Sequence, residues 1–344
     1  MKFLRELTKN IFIYSLAFIA MPAVAQVDSL KTNLFPHLDL SVTAGTTGLG
    51  LELSMPINKT FGVRTGYQVM PKFHYNMDFA VQVGDTPEDK YDEAGNRVET
   101  KFDRLAAKMK EVTGLEVDDQ VRMIGEPTFH NWHLLVDVKP FNNKHWHFTA
   151  GFYLGSSNIA KSYNATEEMS CLLAMNMYNT IYDKVYNREP IYNDIYLSPY
   201  EGPGAMLMEY GRMGIYVGDY KNEYKTDYWG EYIKDENGEL INKPYYLTPG
   251  EDGMVKATMK VNSFKPYLGF GYGGRLFKNN DNYFVSFDCG VMFWGGKPKV
   301  IMHDGVDLTH DIMNHIGQVK DYIDIIDKAV VYPVLNVKFT RRLF

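Results

Sequence analysis

The chain has 344 residues, 42 acidic and 36 basic side chains, and a formal net charge of −6. That balance lacks the basic footprint of a nucleic-acid-binding protein, and two cysteines do not make a disulfide framework. The 25 tyrosines and 20 phenylalanines favour surfaces that are wet on one side and apolar on the other.

At the amino terminus, Lys2, Arg5 and Lys9 precede the apolar run "IFIYSLAFIAMPAVA". The run closes on Ala23-Val24-Ala25, a small-x-small cleavage pattern. Residues 1–25 are therefore expected to be a secretory signal peptide, cut between Ala25 and Gln26, with residues 26–344 as the mature chain. No cysteine follows the cut to carry a lipid anchor, and no later stretch approaches the roughly 20 apolar residues of a spanning helix.

Eight later stretches alternate apolar and polar residues with period two, the pattern of a strand with one buried face. "HLDLSVTAG" sets Leu38, Leu40 and Val42 against Asp39, Ser41 and Thr43. "GLGLELSM" sets Leu49, Leu51 and Leu53 against Gly50, Glu52 and Ser54. "FGVRTGYQV" opposes Phe61, Val63 and Tyr67 to Arg64, Gly66 and Gln68. "NWHLLVDVK" opposes Trp132, Leu134, Val136 and Val138 to His133, Asp137 and Lys139, with Leu135 out of pattern. "HWHFTAGFYLG" opposes Trp146, Phe148 and Phe152 to His145, His147 and Thr149. "FKPYLGFGYGGRLF" opposes Leu268, Phe270 and Tyr272 to a glycine row and Arg275. "NYFVSFDCGVMFW" opposes Val285, Phe287, Cys289 and Val291 to Ser286 and Asp288. The eighth, near the carboxyl end, opposes Leu335, Val337 and Phe339 to Asn336, Lys338 and Thr340.

The strands have the length of tilted bilayer-crossing β-strands, and their connections are asymmetric. "PINKT", "FNNK" and "KNND" are tight and polar. The long connections, about 73–127, 156–262 and 295–329, all emerge at the other end of the meander. The pattern predicts an all-β transmembrane barrel: eight antiparallel strands, up and down, with long and partly helical extracellular loops. Helical spacing appears at Phe102, Leu105 and Met109, after Thr166 as an N-cap, and at Leu308, Ile312, Ile316, Val319 and Ile323. The loops are expected to pack together as a cap over the barrel mouth.

If the apolar faces meet lipid, Asp39, Glu52, Arg64, Asp137, Lys139, Lys265, Arg275, Asp288 and Lys338 point into the lumen. An eight-stranded barrel is narrow enough for side chains to fill it, so these charges must pair or stay hydrated. A turn centred at Asn58 predicts Glu52 opposite Arg64, and closure of the last strand on the first predicts Asp39 beside Lys338. A soluble barrel would show the same alternation. Glycines crowding the polar face (Gly62, Gly66, Gly269, Gly271, Gly273) and aromatics at strand ends favour the membrane reading.

Other signals are weaker. His130, His133, His145 and His147 read as lumenal polar filler rather than one metal site. Asp311 and His315, spaced i, i+4, would share one face of a helix, but acids near a helix start are also expected from its dipole. Cys171 and Cys289 read as two free thiols. "GFGYGG" lies inside a strand with no Lys-Ser/Thr after it, so it is no phosphate loop. No nucleophile or acid–base cluster emerges, so no catalytic residue, cofactor or metal is assigned and no enzyme is expected. The tyrosine-dense fifth connection suits local packing and also an extracellular glycan or protein ligand.

The leader, "LDLSVTAGTTGLGLEL", "KPYLGFGYGGR", "YFVSFDCGVMFW" and the final aromatic resemble the eight-stranded outer-membrane β-barrels of Bacteroidota, the PorT-like and OmpA-like barrel group. The resemblance covers the strands, about a third of the mature chain, and not the long loops. It implies residence in outer-membrane lipid and insertion by the barrel-assembly machinery, with Phe344 as the insertion signal. Thr340 and Arg342 stand where that signal usually carries apolar residues, so either the strand bulges there or "TRRLF" lies past it. The resemblance implies no single activity, because function is grafted on such scaffolds. The expected role is an anchor for a loop-built cap that binds or has a structural part at the cell surface. A narrow diffusion channel and an outer-membrane enzyme with a site in the loops are the alternatives.

Overall fold

The computed structural model describes residues 37–84, 88–114, 116–142, 145–227, 229–250 and 252–344. The expected cleavage site, Ala25 and Gln26, lies outside the described residues. The strands in chain order are β1 (Asp39–Gly45), β2 (Gly48–Pro56), β3 (Phe61–Val69), β4 (Tyr75–Ala80), β5 (Gln82–Val83), β6 (Gln120–Pro127), β7 (His130–Val138), β8 (Trp146–Gly155) and β9 (Asn158–Asn164). They continue with β10 (Met213–Tyr224), β11 (Asn242–Leu247), β12 (Lys256–Lys260), β13 (Phe264–Phe277), β14 (Asn280–Phe293), β15 (Lys299–Met302), β16 (Ile312–Met313) and β17 (Val331–Arg342). The helices are α1 (Lys101–Thr113), α2 (Met169–Tyr186), α3 (Gly202–Tyr210) and α4 (Gly317–Lys328).

The eight strands predicted from period-two alternation close into an antiparallel barrel in the order β1-β17-β14-β13-β8-β7-β3-β2. Its outer face is apolar and bare: Leu51 is 59% exposed, and Leu53, Leu268, Phe270, Phe287, Leu335 and Val337 stand out beside it. A belt of this kind is untenable in water and is the lipid-facing surface of a transmembrane barrel. No described helix is long and apolar enough to cross a membrane. The inward parity also places Leu135, the residue that broke the alternation, inside the barrel with His133.

β17 answers the question of the carboxyl end. It pairs without a register break against both β1 and β14, so there is no bulge at Thr340 to Arg342. The Leu343 amide donates to the Leu38 carbonyl at 2.9 Å, one step beyond the strand. Phe344 lies past that last rung and is exposed.

The loops contain more sheet than helical spacing predicts. One sheet runs β15-β12-β9-β6-β4, all antiparallel. Each of these strands is the near neighbour in sequence of a barrel strand: β14, β13, β8, β7 and β3 respectively. The barrel wall is thus repeated above its rim, in the same strand order, on five of its eight strands. A second sheet, β11-β10-β16 with β5 added to β10, lies in the cap.

Helices and sheets of the cap share one core: Phe102 and Leu105 of α1, Leu172, Met175 and Tyr178 of α2, Ile215 and Val217 of β10, and Val319 and Ile323 of α4. α1 is fixed at its start by a Thr100–Asp103 capping box and at its end by Gly114 in the left-handed region. Two helix starts differ from expectation. Thr166 opens a single 3-10 turn, and α2 begins at Met169. In the last loop the helix begins only at Gly317; Leu308 and Ile312 reach the same core from a turn and from β16. The Asp307 carboxylate accepts from the Thr309 amide at 3.1 Å, and this local bond holds the chain in a turn where the spacing looked helical.

Candidate functional site

Inward parity on an eight-stranded barrel forces polar side chains from opposite walls into contact, and they meet at mid-height as one network. Arg64 of β3 is its centre. Its Nη1 lies 2.6 Å from Asp288 Oδ2 and 3.6 Å from Glu52 Oε2, its Nε lies 3.2 Å from Asp137 Oδ1, and its Nη2 donates to Thr149 Oγ1 at 3.1 Å. Thr149 Oγ1 in turn donates to Asp137 Oδ1 at 2.7 Å. Lys338 of β17 adds the second cation, donating to Glu52 Oε1 at 3.1 Å with Asp288 at 3.9 Å. Two histidines complete it: His133 Nε2 donates to Glu52 at 3.0 Å and His147 Nε2 to Asp288 at 2.7 Å. Glu52 and Arg64 are each only 2% exposed, so the pairing, not water, compensates their desolvation.

Glycines make room for this filling. A Cβ on Gly271 would overlap the His147 imidazole, and one on Gly269 would overlap the Tyr267 ring. The glycine row on the polar face is therefore the space that large inward side chains occupy, His147 from the neighbouring β8 and Tyr267 from β13 itself.

Toward the long-loop end the lumen turns apolar. Leu135, Tyr153, Tyr267, Met292 and Val334 form a buried cluster that Phe129 and Trp294 extend upward. Tyr153 and Tyr267 meet edge to face at 5.4 Å, and Trp294 stacks on Tyr332 at 5.4 Å. Lys265 is buried beside this lid, and among the described residues no carboxylate pairs with it. Its ammonium donates to Asn131 Oδ1 at 3.0 Å and to the carbonyls of Ser156 and Ser263 at 3.1 and 3.3 Å.

Five of the nine charged residues that the alternation turns inward, Glu52, Arg64, Asp137, Asp288 and Lys338, come together in the network. The details of pairing differ. Glu52 faces Gly66, and Arg64 faces Ser54. Asn58 Oδ1 accepts from the amides of Thr60 and Phe61, so the turn centres on Lys59 rather than Asn58 and the register moves by two. The long Arg64 side chain still reaches Glu52.

Asp39 does not meet Lys338. It faces Arg342 across the β1–β17 seam, with Arg342 Nε at 3.5 Å and His37 Nε2 at 3.4 Å, because closure of the barrel offsets β17 by four residues from the expected pairing. Arg275 is 58% exposed and pairs with Asp281 at 2.8 Å, because β13 and β14 run on past the barrel rim. Lys139 lies beyond the end of β7, where its backbone amide donates to Thr60 at 2.7 Å.

His133 and His147, which the sequence presents only as lumenal filler, each contact a carboxylate. Their carboxylate contacts follow from register across three strands, which no local spacing reveals. Asp311 and His315 do not share a helical face, because both precede α4. Asp311 Oδ2 accepts from the Asp307 amide at 2.9 Å, and His315 Nε2 donates to the Leu308 carbonyl at 2.9 Å. Among the described residues no group of three His, Cys, Asp or Glu side chains is arranged to hold a metal ion. Cys171 is buried in the cap and Cys289 lies on β14, both as free thiols. Burial pushes the Cys171 thiol up to about 11.

No family model matches the chain, and no curated protein matches it. Among solved structures it is similar to the crystal structure of Acinetobacter baumannii CarO2, with 13% identity and a TM-score of 0.38 over 90% of this chain and 100% of that one. Acinetobacter baumannii CarO gives 14% identity and a TM-score of 0.34 over 90% and 99%. A major outer membrane protein from Thermus thermophilus gives 12% identity and a TM-score of 0.26 over 89% and 98%. At these values the similarity transfers no activity, and the assignment of the barrel rests on the chain's own strand pairing.

Proposed function

We propose that the chain is an outer-membrane protein whose closed barrel anchors a folded extracellular cap, with its function in the cap as a binding or structural element at the cell surface. The observation that carries this reading is the filling of the lumen. Paired charges at mid-height and an apolar lid above them occupy the space through which a solute would pass. A conducting pore needs a hydrated path, and side chains 2% exposed do not line one.

In this reading the long loops lie outside the cell, the tight turns in the periplasm and the apolar belt in outer-membrane lipid. The leader-like pattern of residues 1–25 supports export, and the likeness of the strand sequences to the Bacteroidota barrel group supports insertion by the barrel-assembly machinery. Single cysteines placed at Val112 in the cap and at Lys59 in a tight turn, in a background lacking Cys171 and Cys289, test the orientation. On intact cells a membrane-impermeant maleimide should label the Val112→Cys variant and spare Lys59→Cys. The reverse pattern would refute the orientation.

A further inference from the structure

Near the carboxyl end of α2, Arg188 adopts φ 53°, in the left-handed region that favours glycine. An arginine is conformationally costly there, so what its side chain does is informative. Its guanidinium lies 5.3 Å from the Tyr200 ring centroid and 5.5 Å from that of Trp229, and Nη2 donates to the Tyr200 hydroxyl at 2.5 Å. One cation thus holds two rings from segments 29 positions apart in the sequence.

The two segments are tied together independently. Tyr186 Oη donates to the Thr226 carbonyl at 2.8 Å, and the Trp229 turn is held by Asp227 Oδ1, which accepts from the amides of Trp229 and Glu231 at 2.9 Å each. Despite this ordering both rings remain outside: Tyr200 is 76% and Trp229 75% exposed. Large rings that stay three-quarters exposed yet are fixed in place add little to a core and are prepared contact surface.

We propose that Arg188, Tyr200 and Trp229 form a carbohydrate-binding platform for neutral polysaccharide, an inference that rests on the cap facing outward. Flat aromatic faces stack on the C–H faces of pyranose rings. Glu189, Asp194, Glu201, Asp227 and Glu231 on the same two segments supply acceptors for sugar hydroxyls, and they outnumber the cations Arg188, Lys225 and Lys234 there. That excess of negative charge disfavours an acidic glycan. An extended peptide would require a strand edge or an apolar groove, whereas the feature here is a pair of exposed rings on acidic segments.

Full-length protein in detergent micelles is passed over sensors carrying dextran, β-1,3-glucan, mannan, xylan or alginate. At least one neutral polysaccharide should retain it, and alginate should not. Trp229→Ala should weaken that binding about tenfold or more, the loss expected of a central aromatic anchor, and Trp229→Phe should restore most of it. Arg188→Gly relieves the backbone conformation and frees both rings, so binding should fall by a similar factor while cap protease resistance is kept. Retention by none of the neutral polymers, preference for alginate, or parental binding by both Trp229→Ala and Arg188→Gly would overturn the platform. A protein that retains no polysaccharide yet labels from outside at Val112→Cys would fail this inference alone and leave the anchored-cap reading standing.

Discussion

Arg64 on β3 and Asp288 on β14 form a 2.6 Å ion pair between diametrically opposite strands of the eight-stranded ring. One contact therefore spans the whole lumen, and Glu52, Asp137, Lys338, His133 and His147 are arranged around it. The pair behaves as a crossbar: the barrel cannot open without exposing or unpairing a buried charge.

Arg64→Ala should strand the carboxylates of Glu52, Asp137 and Asp288 at the centre of the barrel. Breaking a buried pair from one side costs about 3–5 kcal/mol, whereas replacing both partners by apolar groups of similar volume is often near neutral. Urea unfolding in detergent micelles should show the midpoint falling strongly for Arg64→Ala and much less for the double variant Arg64→Met/Asp288→Leu. Equal losses in the two would show that the charge pairing is not what matters.

Gly269 should be intolerant of a side chain. A methyl group there meets the Tyr267 ring in a filled lumen, and overpacking of this kind costs about 1–3 kcal/mol. Gly269→Ala should lower the unfolding midpoint, and the second change Tyr267→Phe should recover part of the loss by removing the hydroxyl that a Cβ would overlap.

The cap should loosen as pH falls below neutrality. Burial lowers the pKa of His315 from its ordinary value of about 6.5, with the Lys221 charge adding to the shift. The unfolded cap therefore binds a proton that the folded cap resists. The stabilisation is complete above about pH 6.5 and is lost as pH falls from there toward the lowered value. Limited proteolysis of the cap should accelerate between about pH 7 and about pH 5. In His315→Gln, whose amide can still donate to the Leu308 carbonyl, that acceleration should shrink.

Cys171 should be chemically silent in the folded protein. Its thiol is buried and pushed up to about 11, so little thiolate exists at about pH 8. Iodoacetamide at that pH should leave it unmodified until denaturant is added, as read by mass spectrometry of the cap peptide.

The barrel was legible because its inside and outside are opposite solvents. Lipid outside and charge inside impose strict period-two alternation, which Leu51, Glu52 and Leu53 display without ambiguity. Even Leu135, the one break in β7, marks where the lumen turns from charged to apolar. The network's members could be read by parity, but their partners could not. Asn58 moved the β2–β3 hairpin by two residues, and only closure of the barrel sets Asp39 against Arg342.

The cap was less legible for a related reason. β5 and β16 are two residues long, β10 carries register shifts, and β12 is partly buried along its centre, so none repeats a clean alternation. The Arg188 platform left no periodic signal at all. Its one sequence trace, a non-glycine residue just after α2 where glycine is favoured, becomes visible only with the backbone angle.

Paired charges and an apolar lid close the barrel to solutes. Planar-bilayer recording of the purified full-length protein, from low to molar salt, tests this closure most directly. The filled lumen predicts no stepwise conductance, with Arg64→Ala/Lys338→Ala the variant in which currents should first appear. Regular unitary currents from the parent protein would contradict the account and show that ions find a path past Arg64.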